Sequence, residues 1–343
     1  MLGKIREMLA VVLTGIFVAV PAAGCRQEAA MPEAEESFFA MDTYISFRLA
    51  GNGAERAAAD CRAEIERLEK LLSVTVPDSD IARINAADGA ETEVDPETVR
   101  LLYAALAVSE RTGGLYDCTV YPLVAAWGFF GNEQTEGKVP TELELLRAYA
   151  SVGYRKMQIS DGKVRIPAGG GIDLGGIAKG YASDRMADVL TADGIRHGVL
   201  SLGGNILAHG TKPDGSPWKI GIQDPEHPDS VLGVVRVSDR KVITSGGYQR
   251  FFEQDGVWYH HILDPRTGYP ADSGLTSVTV VTPSGTEGDA LSTALFIMGK
   301  EQALEFWKAD RSFDLILVEQ DGTVTVTGDL DFTPSSGTAE RVS

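Results

Sequence analysis

A chain of 343 residues with 43% hydrophobic and 23% charged content can bury a substantial core, on the scale of one large domain or two. Its 31 Lys and Arg stand against 49 Asp and Glu, for a net charge of −18. A surface this acidic repels phosphate backbones and argues against a nucleic-acid partner, so an anionic ligand needs a local device such as a metal ion or a helix end.

Residues 1–24 read as a targeting segment. Lys4 and Arg6 precede an apolar run from Met8 to Val20, too short for a comfortable membrane span, and Ala22-Ala23-Gly24 lead into Cys25. Small residues before a Cys resemble a bacterial lipobox, with Ala22 where Leu is usual. On that reading Cys25 carries the lipid, and the protein is exported and anchored to the extracytoplasmic face of a membrane. A plain secretory signal is the alternative.

Residues 25–36, acidic and rich in Ala, Glu and Pro, read as a flexible tether to a domain over 37–333, with 334–343 a disordered tail. Ser37 to Ala50 reads as a strand. Ala54 to Leu72 is an amphipathic helix carrying Cys61 in its apolar stripe with Ile65 and Leu68, and Asp95-Pro96 opens another that stops at Gly113-Gly114. Cys61 and Cys118 are free to pair in an exported setting, although core packing suits Cys61 better. Glu133 to Pro140 reads as a polar loop. Thr141, with Glu144 three residues on, caps a helix to Ala150. Beyond residue 196, short β-rich runs separated by turn residues point to a largely antiparallel sheet, followed by helices over Glu287–Met298 and Gln302–Ala309 and two last strands. The class is α+β, with helices packed on that sheet.

The stretch from Gly169 to Ala182 is dense in glycine and holds one carboxylate, Asp173, and one ammonium, Lys179, before a helix over Ile177–Leu190. Such a turn lets backbone approach a ligand closely, and the first amides of the helix suit an anion, which suggests a phosphate-bearing ligand. A tight strand-to-helix connection with no ligand explains the same residues. Neither a P-loop nor a dinucleotide fingerprint matches.

Other polar clusters lie further on. Asp117 follows Tyr116 directly after a Gly pair, placed like a loop residue facing a ligand. His260-His261-Ile-Leu-Asp-Pro-Arg-Thr-Gly268 delivers an imidazole, a carboxylate and a guanidinium into a turn. Asp289 and Thr293, four apart on one helical face, form part of an oxygen site for a hard cation, with a helix cap the competing explanation for Asp289. Cys/His zinc patterns and hydrolase signatures are missing from the sequence.

Taken together and in order, Met41-Asp-Thr43, Gly114-Leu-Tyr-Asp117, Asp173-Leu-Gly-Gly-Ile-Ala-Lys-Gly-Tyr-Ala182, Ser201-Leu-Gly-Gly-Asn205, Thr244-Ser-Gly-Gly-Tyr248, His261-Ile-Leu-Asp-Pro-Arg-Thr-Gly268 and Asp289-Ala-Leu-Ser-Thr293 resemble the ApbE family of FAD:protein FMN transferases. The resemblance implies that family's T-shaped α+β fold, with an FAD cleft between two lobes. It also implies a Mg²⁺-dependent reaction in which FAD is the substrate, a Thr hydroxyl of an acceptor protein takes FMN through a phosphoester, and AMP leaves.

On that resemblance Asp289 and Thr293 hold Mg²⁺, with the Gly176 carbonyl as backbone ligand and Ser292 contributing. Met41, Leu115, Tyr116, Asp117, Asp173, Lys179 and Leu263 contact the flavin nucleotide. His261 is the general base, a role its ordinary pKa of about 6.5 suits; a structural His bonding the next turn is the alternative. Asp42 stands where the family usually has Gly, which puts the backbone there in question, and Thr75 stands where an aromatic often stacks on the ligand. The expected acceptors are exported flavoproteins with a Thr flavinylation motif, such as subunits of Nqr-type sodium-pumping quinone reductases and Rnf-type complexes. This chain lacks a good copy of that motif, since Asp321-Gly-Thr-Val-Thr puts Val324 at the acceptor position. A metal-dependent FAD pyrophosphatase and a non-catalytic FAD-binding lipoprotein are the alternatives.

Overall fold

A computed structural model describes residues 31–129 and 137–343. The signal segment, Cys25, the first half of the expected tether and the first part of the polar loop at 133–140 lie outside the described residues.

The first strand begins earlier than the sequence suggests. β1 (Glu33–Ala40) and β2 (Thr43–Ala50) form an antiparallel hairpin, so residues 33–36, expected in the tether, are already paired with 47–50. Alternating buried positions Ile45, Phe47 and Leu49 face the core, which is what ties this segment down. The helix α1 (Ala54–Leu72) follows with the expected bounds. Its buried stripe of Ala57, Cys61, Ile65, Leu68 and Leu72 lies on one face, and each large aliphatic buried there contributes about 1.5–3 kcal/mol.

Next come α2 (Asp80–Ala86), β3 (Thr92–Glu93) and α3 (Pro96–Arg111), the last capped by Asp95, whose carboxylate accepts from the Glu97 N–H at 2.7 Å. A short helix not read from the sequence, α4 (Tyr121–Trp127), occupies the aromatic run there. The Thr141–Glu144 capping box is present at the start of α5 (Glu142–Ser151). The strands β4 (Gln158–Ser160) and β5 (Lys163–Arg165) form a small sheet with β3. α6 (Ala178–Ala192) closes this half.

The second half is mostly strand, and its elements are β6 (His197–Leu202), β7 (Asn205–Gly210), β8 (Trp218–Gln223), β9 (Val231–Val237) and β10 (Arg240–Gly246). They are followed by β11 (Phe251–Gln254), β12 (Val257–His260) and β13 (Leu275–Thr282). The segment α7 (Gly285–Ala309) holds the two helices expected there, which meet at a kink at Gly299, whose φ of 76° no helix interior adopts. The chain ends in β14 (Asp314–Glu319), β15 (Val324–Thr327), β16 (Phe332–Pro334) and β17 (Glu340–Val342). The expected disordered tail is therefore corrected: residues 340–342 pair in parallel with 325–327, and β16 pairs with β9.

The main sheet runs β1-β2-β6-β7-β10-β13-β14-β15-β17 and is antiparallel except for its last pair. α1, α6 and α7 cover one face and enclose the main core, which includes Leu200, Val278, Leu295 and Leu315. The other face packs Val242, Val281, Ile316 and Val326 against Ile220 and Val235 of the β8–β9–β16 sheet. With both faces covered, β13 is buried at nearly every position rather than alternating. A third cluster gathers Leu123, Trp127, Phe129, Leu145 and Leu263 beside the β11–β12 hairpin. The architecture is the expected α+β one. Cys61 and Cys118 are both buried and unpaired, so the pairing that an exported setting permits does not form.

Candidate active site

One cavity of about 670 Å³ opens between the helical layer and the loops at the ends of the central strands. Of the positions singled out in the sequence, Met41, Leu115, Tyr116, Asp117, Asp173, Gly176, Lys179, His261, Leu263, Asp289 and Thr293 all line it. Residues more than 250 positions apart thus share one wall.

The metal-type cluster is built from the crossing of two helices. Asp289 and Thr293 lie one turn apart on α7. A Cβ placed on Gly176 would stand 3.4 Å from Thr293 Oγ1 and 3.3 Å from Tyr116 Cε2, so the Gly176 backbone lies close beside that hydroxyl. The Asp289 Oδ2 accepts the Gly180 N–H at 2.8 Å, and Oδ1 takes no hydrogen bond among the described residues. The cap of α7 is a different residue: Ser284 accepts from the Glu287 N–H, and Asp184 takes the N–H groups of Gly285 and Thr286. Asp289 therefore does not cap its own helix. It joins the first turn of α6 to α7 and faces the cavity.

This arrangement also revises the expectation for the start of α6. The Gly180 N–H goes to Asp289 and the Ala178 N–H to the Leu174 carbonyl, so those amides are not left for an anion. A carboxylate, a hydroxyl and a peptide oxygen are hard donors, which suits a Mg²⁺-type cation that completes its shell with phosphate oxygens. Ser292 is different. It is fully buried, donates to the Asp289 carbonyl at 2.8 Å and bonds the Ser245 hydroxyl at 2.7 Å, and it does not line the cavity. It braces the helix turn rather than reaching a ligand.

The Met41-Asp42 turn has both residues at positive φ, 51° and 57°, the geometry of a tight hairpin turn whose twist matches its strands. Asp tolerates that region through its short polar side chain; Met41 does so less readily and is held by its N–H donating to Glu69 at 2.7 Å. Behind it, Gly203 turns at φ 56°, and a Cβ there would lie 1.9 Å from Thr43 Oγ1. Gly203 in the Ser201–Asn205 motif is thus a packing requirement of two abutting turns, while Gly204 serves its positive φ of 99°.

Asp117 lines the cavity and also organises its own loop. Its carboxylate accepts from the N–H and hydroxyl of Thr119 and from the Tyr154 N–H, all within 2.8 Å, and so shapes the loop. Burial nonetheless raises its pKa. Asp173, raised by burial too, accepts the Gly175 N–H at 2.7 Å, and Arg250 and Lys179 partly offset that rise. The Lys179 ammonium donates to the Gly175 carbonyl at 3.2 Å.

His261 donates from Nδ1 to the Arg250 carbonyl at 3.1 Å, since a carbonyl can only accept. Burial first, then the Arg250 guanidinium, pushes its pKa down to about 3 rather than leaving it near 6.5. The ring is therefore neutral at pH 7 with the lone pair on Nε2, the form a proton acceptor needs. Next to it, Arg266 grips Asp264 through two hydrogen bonds of 2.9 and 2.6 Å, so the carboxylate and guanidinium of this motif lock the turn instead of facing a ligand.

The wall also holds residues that sequence reasoning did not assign to the site, three of them polar and central to it. Arg250 supplies the second cation of the cavity, Glu69 holds the Met41 turn, and Asn205 is 2% exposed with its Nδ2 unpartnered among the described residues. The Tyr116 hydroxyl is likewise buried without a partner there. Two orphaned polar atoms in one wall fit a ligand with many acceptors, as a flavin nucleotide is. Only Asn205 had a signal, its place at the end of the Ser-Leu-Gly-Gly-Asn run.

The family model of the ApbE family matches residues 41–317. The chain belongs to the ApbE family. An FAD:protein FMN transferase of Treponema pallidum is 34% identical over 316 residues, covering 84% of each chain. One from Vibrio cholerae is 36% identical over 261 residues, covering 75% of this chain and 78% of its own. Among solved structures, the ApbE protein of Thermotoga maritima matches with a TM-score of 0.80 at 34% identity, over 85% of this chain and 96% of its own. The flavin transferase ApbE from Vibrio cholerae gives 0.76 at 29%, over 88% and 96%. The cavity residues from Met41 to Thr293, Asp289 included, fall inside the matched span.

Proposed function

We propose that this chain is an FAD:protein FMN transferase that moves the FMN moiety of FAD to a Thr hydroxyl of an acceptor protein in a Mg²⁺-dependent reaction, releasing AMP. The observation that carries it is the meeting of Asp289, Thr293 and the Gly176 backbone in one cavity with a neutral His261. Bound there, Mg²⁺ would neutralise charge on the pyrophosphate and ease its cleavage.

The residues of the chain supply the rest. His261 Nε2 accepts the proton of the attacking hydroxyl, whose oxygen forms a bond to the FMN phosphorus as the bond to the AMP phosphate oxygen breaks. Arg250 and Lys179 bring positive charge to a cavity whose other charged lining residues are Asp42, Glu69, Asp117, Asp173 and Asp289, which favours a polyanionic substrate only alongside a cation. The Tyr116 hydroxyl and the Asn205 amide, buried in this wall without partners among the described residues, support a ligand rich in acceptors. The layout of residues 1–25 supports a lipid anchor on Cys25 and a place on the extracytoplasmic face, where exported flavoproteins of the Nqr or Rnf type are the expected acceptors.

The test is incubation of the protein with FAD, Mg²⁺ and a carrier bearing an Asp-Gly-x-Ser/Thr-Gly/Ser/Ala-Thr site. The expected result is a fluorescent carrier band in a denaturing gel and an added FMN mass on its last Thr. Free FMN and AMP with an unlabelled carrier would instead identify a pyrophosphatase, and bound FAD with no product a carrier of the cofactor.

A further inference from the structure

The β11–β12 hairpin springs directly from the cavity wall. Its root is Arg250 on one side and His260-His261 on the other, and Phe251 pairs across to His260. Strand alternation gives it two unlike faces. The inner face sets Phe252 and Tyr259 against Trp127, with ring centroids 6.3 and 5.3 Å away, and so fixes the hairpin to the protein body. On the outer face Phe251 and Trp258 stack on each other at 4.3 Å and 13°, yet they are 41% and 62% exposed. A stacked, rigidly backed aromatic pair facing water is the kind of anchor found at protein interfaces. No described strand pairs with either outer edge of the hairpin, so an extended chain can be added alongside it.

We propose that this outer face is the docking surface for the acceptor polypeptide: an extended segment that lays apolar side chains on Phe251 and Trp258 and passes its hydroxyl residue inward to His261. The inference rests on the transferase reading, because only a macromolecular acceptor must cross the rim to reach the cavity. The continuity of the patch with Arg250 and His261 selects this occupant. A membrane surface fits less well, since Glu253 shares the face with Trp258 and Asp255 sits at the hairpin tip, and both repel anionic lipid.

The experiment compares the full-length protein with the Phe251→Ser/Trp258→Ser variant and with Trp258→Phe, using a carrier protein that bears the flavinylation site in an extended tag. Flavin fluorescence measures FAD affinity, and initial rates over carrier concentration give KM and kcat. The double variant is expected to bind FAD as the parent does and to raise KM for the carrier by about tenfold or more with kcat nearly unchanged, while Trp258→Phe keeps most of the parent KM. Unchanged KM in the double variant overturns the docking surface while leaving the transferase intact. The docking surface is equally overturned if the patch is needed only for co-sedimentation with phosphatidylglycerol vesicles. A parent protein that binds FAD and labels no carrier sinks both readings at once.

Discussion

The Asp289 carboxylate accepts the backbone N–H of Gly180 at 2.8 Å, a bond between residues 109 apart that joins the first turn of α6 to the first turns of α7. The same side chain is needed for structure and for chemistry. Asp289→Asn keeps an acceptor for that N–H but removes the charge, whereas Asp289→Ala removes both. Both variants are expected to lose transfer by about 100-fold or more. Only the Ala variant is expected to lose about 1–3 kcal/mol of stability, through an unsatisfied buried N–H. Denaturant melts alongside rate measurements separate the two effects; equal stability loss in Asn and Ala would contradict the double role.

Gly180 of α6 lies against α7 with no room for a side chain. A Cβ there would lie 2.1 Å from the Gly285 carbonyl oxygen and 2.6 Å from the Asp289 Cβ. Gly180→Ala gains about 1 kcal/mol of helix propensity and loses more by overpacking, which typically costs about 1–3 kcal/mol and here meets backbone that cannot swing aside. A lower Tm together with weaker Mg²⁺ dependence of activity is expected, since the helix that carries Asp289 must move.

His261 titrates well below its ordinary range. In the unfolded chain it takes up a proton as pH falls through 6.5, while in the folded ligand-free protein it does so only near 3. Between those values the unfolded state binds more protons, so this residue makes the protein less stable as pH drops and contributes no penalty above about 6.5. His261→Gln should flatten the acid limb of a stability–pH curve in that window. It should also lower kcat by about 10²- to 10⁴-fold, as removal of a general base does. A variant that keeps both the acid limb and full activity would show that His261 serves neither role.

Arg250 sits behind that titration. Its positive charge is the second cause of the His261 shift after burial, and its Nη1 donates to the Phe129 carbonyl at 3.1 Å. In Arg250→Gln the imidazole pKa is expected to move upward, though not to its ordinary value because burial remains, and FAD is expected to bind less tightly. An NMR titration of the His261 ring and a flavin-binding isotherm read the two effects independently.

Much of this protein is legible without coordinates. The stripe of α1, the Asp95 cap and the Thr141–Glu144 box follow local rules that operate within a few residues, and the ordered series of motifs from Met41 to Thr293 marks the family and most of the cavity wall. Contacts over long separations are another matter. That the Asp117 carboxylate bonds Tyr154, that Ser292 turns to Ser245, and that Arg250 and Glu69 reach the cavity all depend on which elements pack together. Local sequence carries the identity of a side chain, but burial and the charges brought beside it by folding decide whether it faces a ligand, a neighbour or a proton.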